Sequence, residues 1–150
     1  MTQITHFEGE YWFLSNFYPA PVVLDETEYP TVEHAFQAAK TDDPDERRAV
    51  LASKTPALAK RAGRAVTMRP DWNTARFATM ESLVQQKFTR HADLRAKLLA
   101  TGDAELIEGN TWNDTTWGAV WDGDNAAWIG KNYLGQMLMR IRDELRREFA

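Results

Sequence analysis

Apolar positions recur at helical spacing through most of the chain and at strand spacing only near its start. Val22-Val23-Leu24 is a short apolar run after Pro19 and Pro21, and Asp25-Glu26-Thr27-Glu28 reads as a turn into a partner strand at Tyr29. Thr31 follows Pro30 as a good N-cap, which predicts a helix to Lys40 with Val32, Ala35, Phe36 and Ala39 on its apolar arc. Asp43-Pro44-Asp45-Glu46 starts a second helix with an N-cap, a proline in the first turn and acids at the positive end of the dipole. Thr55-Pro56 repeats that start, and Gly63 is placed to end the third helix as a left-handed C′ glycine. The longest helix is expected from Asn73 to about Arg90, with Phe77, Met80, Val84 and Phe88 in register, and another from Ala92 to Ala100. The last runs from Lys131 to Glu148 and buries Leu134, Met137, Leu138, Ile141 and Leu145. The pattern predicts an α+β fold: a compact, mostly helical single domain over 1–150. One small β-sheet is expected, built from the N-terminal strands and pieces near 104–107 and 117–121.

The first helix carries more than a core stripe. Glu33, Gln37 and Lys40 stand at i, i+4 and i+7, so their side chains fall within one narrow arc beside the apolar one. A carboxylate, an amide and an amine in a row at a core boundary can form a site. The plainer alternative is a Glu/Lys surface pair on an ordinary amphipathic helix.

Residues 109–130 hold four of the six tryptophans, interleaved with Asn, Asp and Gly. Long segments without clear secondary structure are uncommon in compact domains and tend to be functional. Tryptophan offers a flat stacking face, and Asn and Asp offer directed hydrogen bonds, a pairing that suits a heteroaromatic ligand such as a nucleobase. Trp112 and Trp117 flank Asn113-Asp114 and suit that reading, whereas Trp121 and Trp128 serve equally well as plugs over a core. Gly130-Lys131-Asn132 opens the last helix, where free N–H groups and a lysine can hold phosphate, although no full phosphate-loop pattern is present.

Composition narrows the field. A chain of 150 residues, 43% hydrophobic and 27% charged, is an ordinary globular protein. No apolar run nears the roughly 20 residues that span a bilayer, and no basic-then-apolar leader opens the chain; a cytoplasmic location is expected. With no cysteine, disulfides, thiol nucleophiles and thiolate-bound zinc are excluded. His6, His34 and His91 are scattered, so no metal site is expected. A net charge of −4 argues against nucleic-acid binding by charge alone. Lys60, Arg61, Arg64 and Arg69 crowd one stretch, which reads most simply as a solvated helix face.

Four islands together resemble one family. Phe13-Leu-Ser-Asn-Phe-Tyr-Pro19, Glu33-His-Ala-Phe-Gln-Ala-Ala-Lys40, Asn113-Asp-Thr-Thr-Trp-Gly118 and Gly130-Lys-Asn-Tyr-Leu-Gly-Gln-Met-Leu-Met139 occur in the order of the NADAR (YbiA-like) superfamily. The resemblance implies N-glycosidase chemistry without a cofactor or metal, acting on the bond between ribose C1 and a nitrogen. The implied substrates are phosphoribosylamino intermediates of riboflavin synthesis, or ADP-ribosylated guanine in DNA or RNA. Asp122–Gly130 departs from the riboflavin-type pattern and tips the expectation slightly toward ADP-ribosyl-guanine.

On that resemblance Glu33 is the principal acid/base group and Lys40 its partner, either as a fixed cation or as a neutral amine that attacks an opened ribose aldehyde. Asp114 is a second carboxylate, with an Asx-turn as its alternative role. Asn16, Gln37 and Asn113 would orient the sugar or base, Phe17, Trp112 or Trp117 would stack on it, and Lys131 and Asn132 would meet a phosphate. All are expected on a single cleft. The competing reading is a non-catalytic sensor of NAD or ADP-ribose, and the oligomeric state is left open.

Overall fold

The structure is a computed structural model and describes residues 2–149. The chain divides into two compact units, residues 16–91 and residues 1–15 with 92–150.

The 16–91 unit opens with the antiparallel hairpin of β2 (Val22–Leu24) and β3 (Thr27–Tyr29), in register Val22↔Tyr29 and Leu24↔Thr27. Its turn holds Asp25 and Glu26 at positive φ, 47° and 68°, where glycine and asparagine are usual. The exposed edge of β2 is closed by a side chain: the Gln86 amide accepts from Val23 N–H and donates to Val23 O, standing in for a neighbouring strand.

Four helices follow: α1 (Val32–Ala39), α2 (Pro44–Leu51), α3 (Pro56–Gly63) and α4 (Trp72–Arg90). The caps expected from the sequence are all present. Thr31, Asp43 and Thr55 each accept first-turn N–H groups with their side chains. α1 packs against α2, α3, α4 and the β2–β3 hairpin, and every residue from Val32 to Ala39 is buried. It is therefore the axis of the unit rather than an amphipathic surface helix. Its start is fixed by a buried relay. His34 Nε2–H donates to Ser53 O at 2.9 Å, so Nδ1 is left to accept from the Thr31 hydroxyl at 2.8 Å.

Gly63 ends α3, but not as a left-handed cap: the helix closes at Arg64 with ordinary right-handed φ and ψ. The glycine serves close approach instead. A Cβ built there would overlap Gln37 Oε1 and stand 3.0 Å from Gln37 Cβ. The missing methyl lets α3 lie directly on the polar row of α1.

α4 buries Lys87 at 1% exposure, with its amine over the rings of Phe88 and Tyr18 at 5.1 and 5.6 Å. Desolvation pulls this amine from 10.5 down to about 7.

In the other unit β1 (Gln3–Ile4) pairs parallel with β4 (Glu105–Leu106), and a 3₁₀ turn covers Gly9–Leu14. α5 (Ala92–Ala100) and α6 (Tyr133–Phe149) pack together, and α6 buries the stripe read from the sequence. Arg142 on α6 is also buried and donates to Thr101 Oγ1 and Ala104 O.

The last strands, β5 (Val120–Asp122) and β6 (Ala127–Ile129), form a hairpin. Two expectations change here. Among the described residues there is no single sheet but three two-stranded ladders, because β1 finds β4 while each hairpin pairs only with itself. Half of the segment read as irregular is also this hairpin, and Trp121 and Trp128 face each other across it at 5.2 Å. Trp121 is 51% exposed, so it plugs no core.

Two predictions follow from the 16–91 unit. Lys87 is charged in both folded and unfolded chains below about pH 7; as pH rises toward 10.5 only the folded chain has released the proton, so the burial penalty fades. Lys87→Met should therefore raise the melting temperature more at about pH 6 than at about pH 9.5. An equal gain at both pH values contradicts a desolvated amine. Gly63→Ala should cost about 1–3 kcal/mol by overpacking, against a helix propensity that favours alanine. Urea unfolding of the variant in a Gln37→Ala background should recover most of that cost, and full additivity contradicts the contact.

Candidate active site

Glu33 lies one turn into α1, where burial leaves it 7% exposed. Its backbone N–H donates to Asn16 O at 3.1 Å, tying α1 to the segment before β2. Its Oε1 accepts from Gln37 Nε2 at 2.8 Å, the i,i+4 bond that the spacing implies. The amide fixes one carboxylate oxygen and sets the rotamer. Gln37 Oε1 is buried against Gly63 without a hydrogen-bond partner, leaving room only for a weak Cα–H contact.

Lys40 is the C-cap of α1 and is half-buried. Its amine is held below the ordinary lysine value, first by desolvation. Glu33 opposes that shift by favouring the charged form, and Arg64 and Lys60 reinforce it by repulsion. The end of α1 is sealed elsewhere: Arg69 N–H donates to Lys40 O at 2.7 Å and Arg69 Nη1 to Ala39 O at 3.5 Å. Arg69 is itself paired with Asp71 at 2.9 Å. The last carbonyls of α1 are thus partly neutralised, which lessens their pull on a proton at Lys40.

Asn16 is buried, and its Nδ2 has only the Met80 sulfur at 3.3 Å. Its Oδ1 is buried with no partner among the described residues. An acceptor left open in this way suits a ligand hydroxyl or N–H. Phe17, the next residue, is half-buried. The 16–91 unit therefore brings together Glu33, Gln37, Lys40 and the Asn16 backbone.

The tryptophan-rich group is organised within the other unit. Asn110 is its hub and is buried. Its Oδ1 accepts from Asp114 N–H and its Nδ2 donates to Asp114 O, both at 2.9 Å, which closes the loop on itself. Asn113 takes positive φ, 65°, within that loop. Asp114 Oδ1 accepts from the N–H groups of Thr116 and Trp117 at 3.0 and 2.9 Å, an Asx-type turn. Trp117 packs edge-on to Tyr133, whereas Trp112 is 64% exposed with its ring face available for stacking.

The start of α6 differs from the expectation of a phosphate cradle. The N–H groups of Lys131, Asn132, Tyr133 and Leu134 donate to the carbonyls of Thr115, Gly118, Thr116 and Trp117. They are spent on the loop and are not free to meet an anion. The Asn132 side chain is committed as well, accepting from Glu108 N–H at 3.0 Å and donating to Leu106 O at 2.9 Å. Lys131 is exposed.

Among the described residues, no three His, Cys, Asp or Glu side chains gather closely enough to hold a metal ion. No helix of the described residues is long and apolar enough to cross a membrane.

Reading the sequence by motif missed Asn110 and Lys87 and gave Gly63 a different role. Asn110 stands three residues before Asn113 in a run of look-alike polar residues, and only the fold tells a hub from a neighbour. Lys87 falls on the buried side of α4, one residue before Phe88, a position that flags an ionisable group inside.

Comparison with known proteins places the chain in a family. The family model of the NADAR domain matches residues 4–146. The chain is 40% identical over 138 residues to N-glycosidase YbiA of Shigella boydii, covering 91% of this chain and 82% of that protein. It is 39% identical over 135 residues to a riboflavin biosynthesis protein of Vibrio vulnificus, where the match covers 89% of this chain and 35% of that longer protein. The NMR structure of the Escherichia coli protein YbiA superposes with a TM-score of 0.82 at 37% identity, over 98% of this chain and 86% of that one. With the family model spanning nearly the whole chain and relatives this similar, the chain belongs to the NADAR domain family.

Proposed function

We propose that this chain is an N-glycosidase, a hydrolase that cleaves the bond between ribose C1 and a nitrogen in an N-ribosylated nucleotide. The observation that carries the reading is Glu33. It is a carboxylate buried on a helix with no solvated face, oriented by Gln37 and electrostatically coupled to an amine held below its ordinary pKa. The cost of burying such a pair is not repaid by stability alone, and perturbed, partnered groups of this kind gather at functional sites.

Breaking a ribosyl C–N bond develops positive charge at C1 and the ring oxygen, and negative charge on the departing nitrogen. In this reading Glu33 stabilises the first and takes the proton of the attacking water. Lys40 serves the second as a donor. As a neutral amine it would instead attack the opened sugar aldehyde, and desolvation works toward that role by lowering its proton affinity while Glu33 works against it. Asn16, through its open Oδ1, and Gln37 orient the sugar, with Phe17 against it. In the other unit Trp112 offers an exposed ring face for stacking, on the loop that Asn113, Asp114 and Trp117 belong to. Asp114 acts there mainly by holding the turn.

For substrate class, relatives carrying the names N-glycosidase and riboflavin biosynthesis protein support a phosphoribosylamino nucleotide. They weigh against the slight expectation of ADP-ribosyl-guanine drawn from Asp122–Gly130. That stretch forms the β5–β6 turn and strand, whose Asp122 carboxylate is engaged by Asn125 and Asp124.

The test is a panel of phosphoribosylamino pyrimidine and ADP-ribosylated oligonucleotide, with release of ribose phosphate or ADP-ribose followed chromatographically. Glu33→Gln keeps the shape and the Gln37 contact but removes the charge. It should lower kcat by about 100-fold or more with the melting temperature nearly unchanged. Wild-type turnover in that variant would end the assignment, and nucleotide binding by the native chain without any product would favour a sensor.

A further inference from the structure

We propose that Lys60 and Arg64 of α3 form a phosphoryl-binding subsite beside Lys40, holding the 5′-phosphate of the ribosyl substrate. This deepens the N-glycosidase reading and rests on it for the identity of the sugar.

The argument starts from α3. Lys60 and Arg64 are i and i+4, so they project within about 40° of each other. They border Gly63, whose missing side chain lets α3 rest on Gln37, so the same turn of α3 that touches the ladder carries both cations. Lys40 follows Gln37 by three residues and is the ladder's next member. Its amine feels Arg64 and Lys60 as neighbouring positive charge. Lys60 is half-buried and Arg64 exposed, as a subsite open to ligand requires.

Lys60 and Arg64 make no ion pair among the described residues; Lys54 and Arg61 of the same unit make none either, and what sets the first two apart is a third cation, Lys40, beside them. The chain has 22 acids to 18 Lys and Arg, so carboxylates are in excess. Arg47, Arg48, Arg69 and Arg90 of the same unit all pair with Asp or Glu. The carboxylate that Lys40 feels is Glu33 on its own helix, and none is felt from α3. The basic end of α3 accounts for some of this charge, since cations favour a helix C-terminus. It does not account for the third cation, on another helix, brought against the other two. Like charges held together repel, and a dianion between them relieves the repulsion while making charge-assisted hydrogen bonds.

The geometry also matches the substrate. A sugar phosphate is short enough for Lys40 to stand between the sugar and α3, which rests on the same helix at Gln37. C1 then lies toward Glu33 and Lys40, and the phosphate toward α3. The alternative anion site, the start of α6, has its N–H groups already spent.

The experiment is calorimetric titration of the wild-type chain and of Lys60→Ala/Arg64→Ala with ribose, ribose 5-phosphate and ADP-ribose. Circular dichroism melting checks the fold. It needs no turnover, so its result is independent of whether Glu33→Gln loses activity. The wild type should bind ribose 5-phosphate at least about tenfold more tightly than ribose, with the advantage shrinking as salt rises. The double variant, folded, should lose that advantage. A loss on both phosphorylated ligands assigns the clamp to the 5′-phosphate itself, and a loss on ADP-ribose alone assigns it to a diphosphate; either supports an anion subsite. Equal binding of ribose 5-phosphate and ADP-ribose by wild type and variant, or no preference of the wild type for phosphorylated sugar, overturns it. Should the double variant fail to fold, Arg64→Gln alone is read by the same criteria.

Discussion

Desolvation of α1 is the constraint on which the proposed chemistry of this chain rests. A helix buried from Val32 to Ala39 has no face on which a carboxylate and an amide can sit in water. The protein meets the cost locally, with Gln37 bonded to Glu33 and the Thr31–His34–Ser53 relay holding the helix start. The burial that keeps water from Glu33 also lowers the proton affinity of Lys40, against the pull of the Glu33 charge. An exposed Glu/Lys pair at the same spacing would be screened and worth little.

The second constraint is close approach. Gly63 allows α3 onto the Gln37 side chain, and Gly135 does the same in the other unit, where a Cβ would overlap Leu106 O and the Asn132 amide. In both places a glycine within a helix, costly in propensity, is kept because a neighbouring polar group needs the space. These contacts sit beside the Glu33–Gln37 bond of the proposed site in one unit and beside the bonds of Asn132 near the 115–118 loop in the other.

Much of this was legible in the sequence where physics is local. Thr31, Asp43 and Thr55 declared the helix starts because an N-cap needs only its own next turn. That Glu33 and Gln37 are neighbours on one arc of α1 followed from spacing alone, and the structure adds the bond between them. Pairing between distant segments was not legible. Gln3 and Ile4 find Glu105 and Leu106 a hundred residues on, and nothing in either dipeptide specifies the other. The start of α6 shows the same limit at the level of a site. Gly130-Lys131-Asn132 reads as an anion cradle until the carbonyls of 115–118 take its N–H groups. Gly63 read as a cap because a glycine after a basic turn has that meaning in isolation; its real partner lies 26 positions earlier, on another helix.

The central claim is that burial and charge at α1 couple Glu33 to Lys40. It is tested most directly by following the Lys40 side chain by NMR through a pH titration, in the wild type and in Glu33→Gln. The account predicts a midpoint below that of an ordinary lysine in the wild type and a further fall in the variant, because the carboxylate that favoured the charged amine is gone while Lys60, Arg64 and desolvation remain. Titration at the ordinary lysine value in both proteins would contradict it.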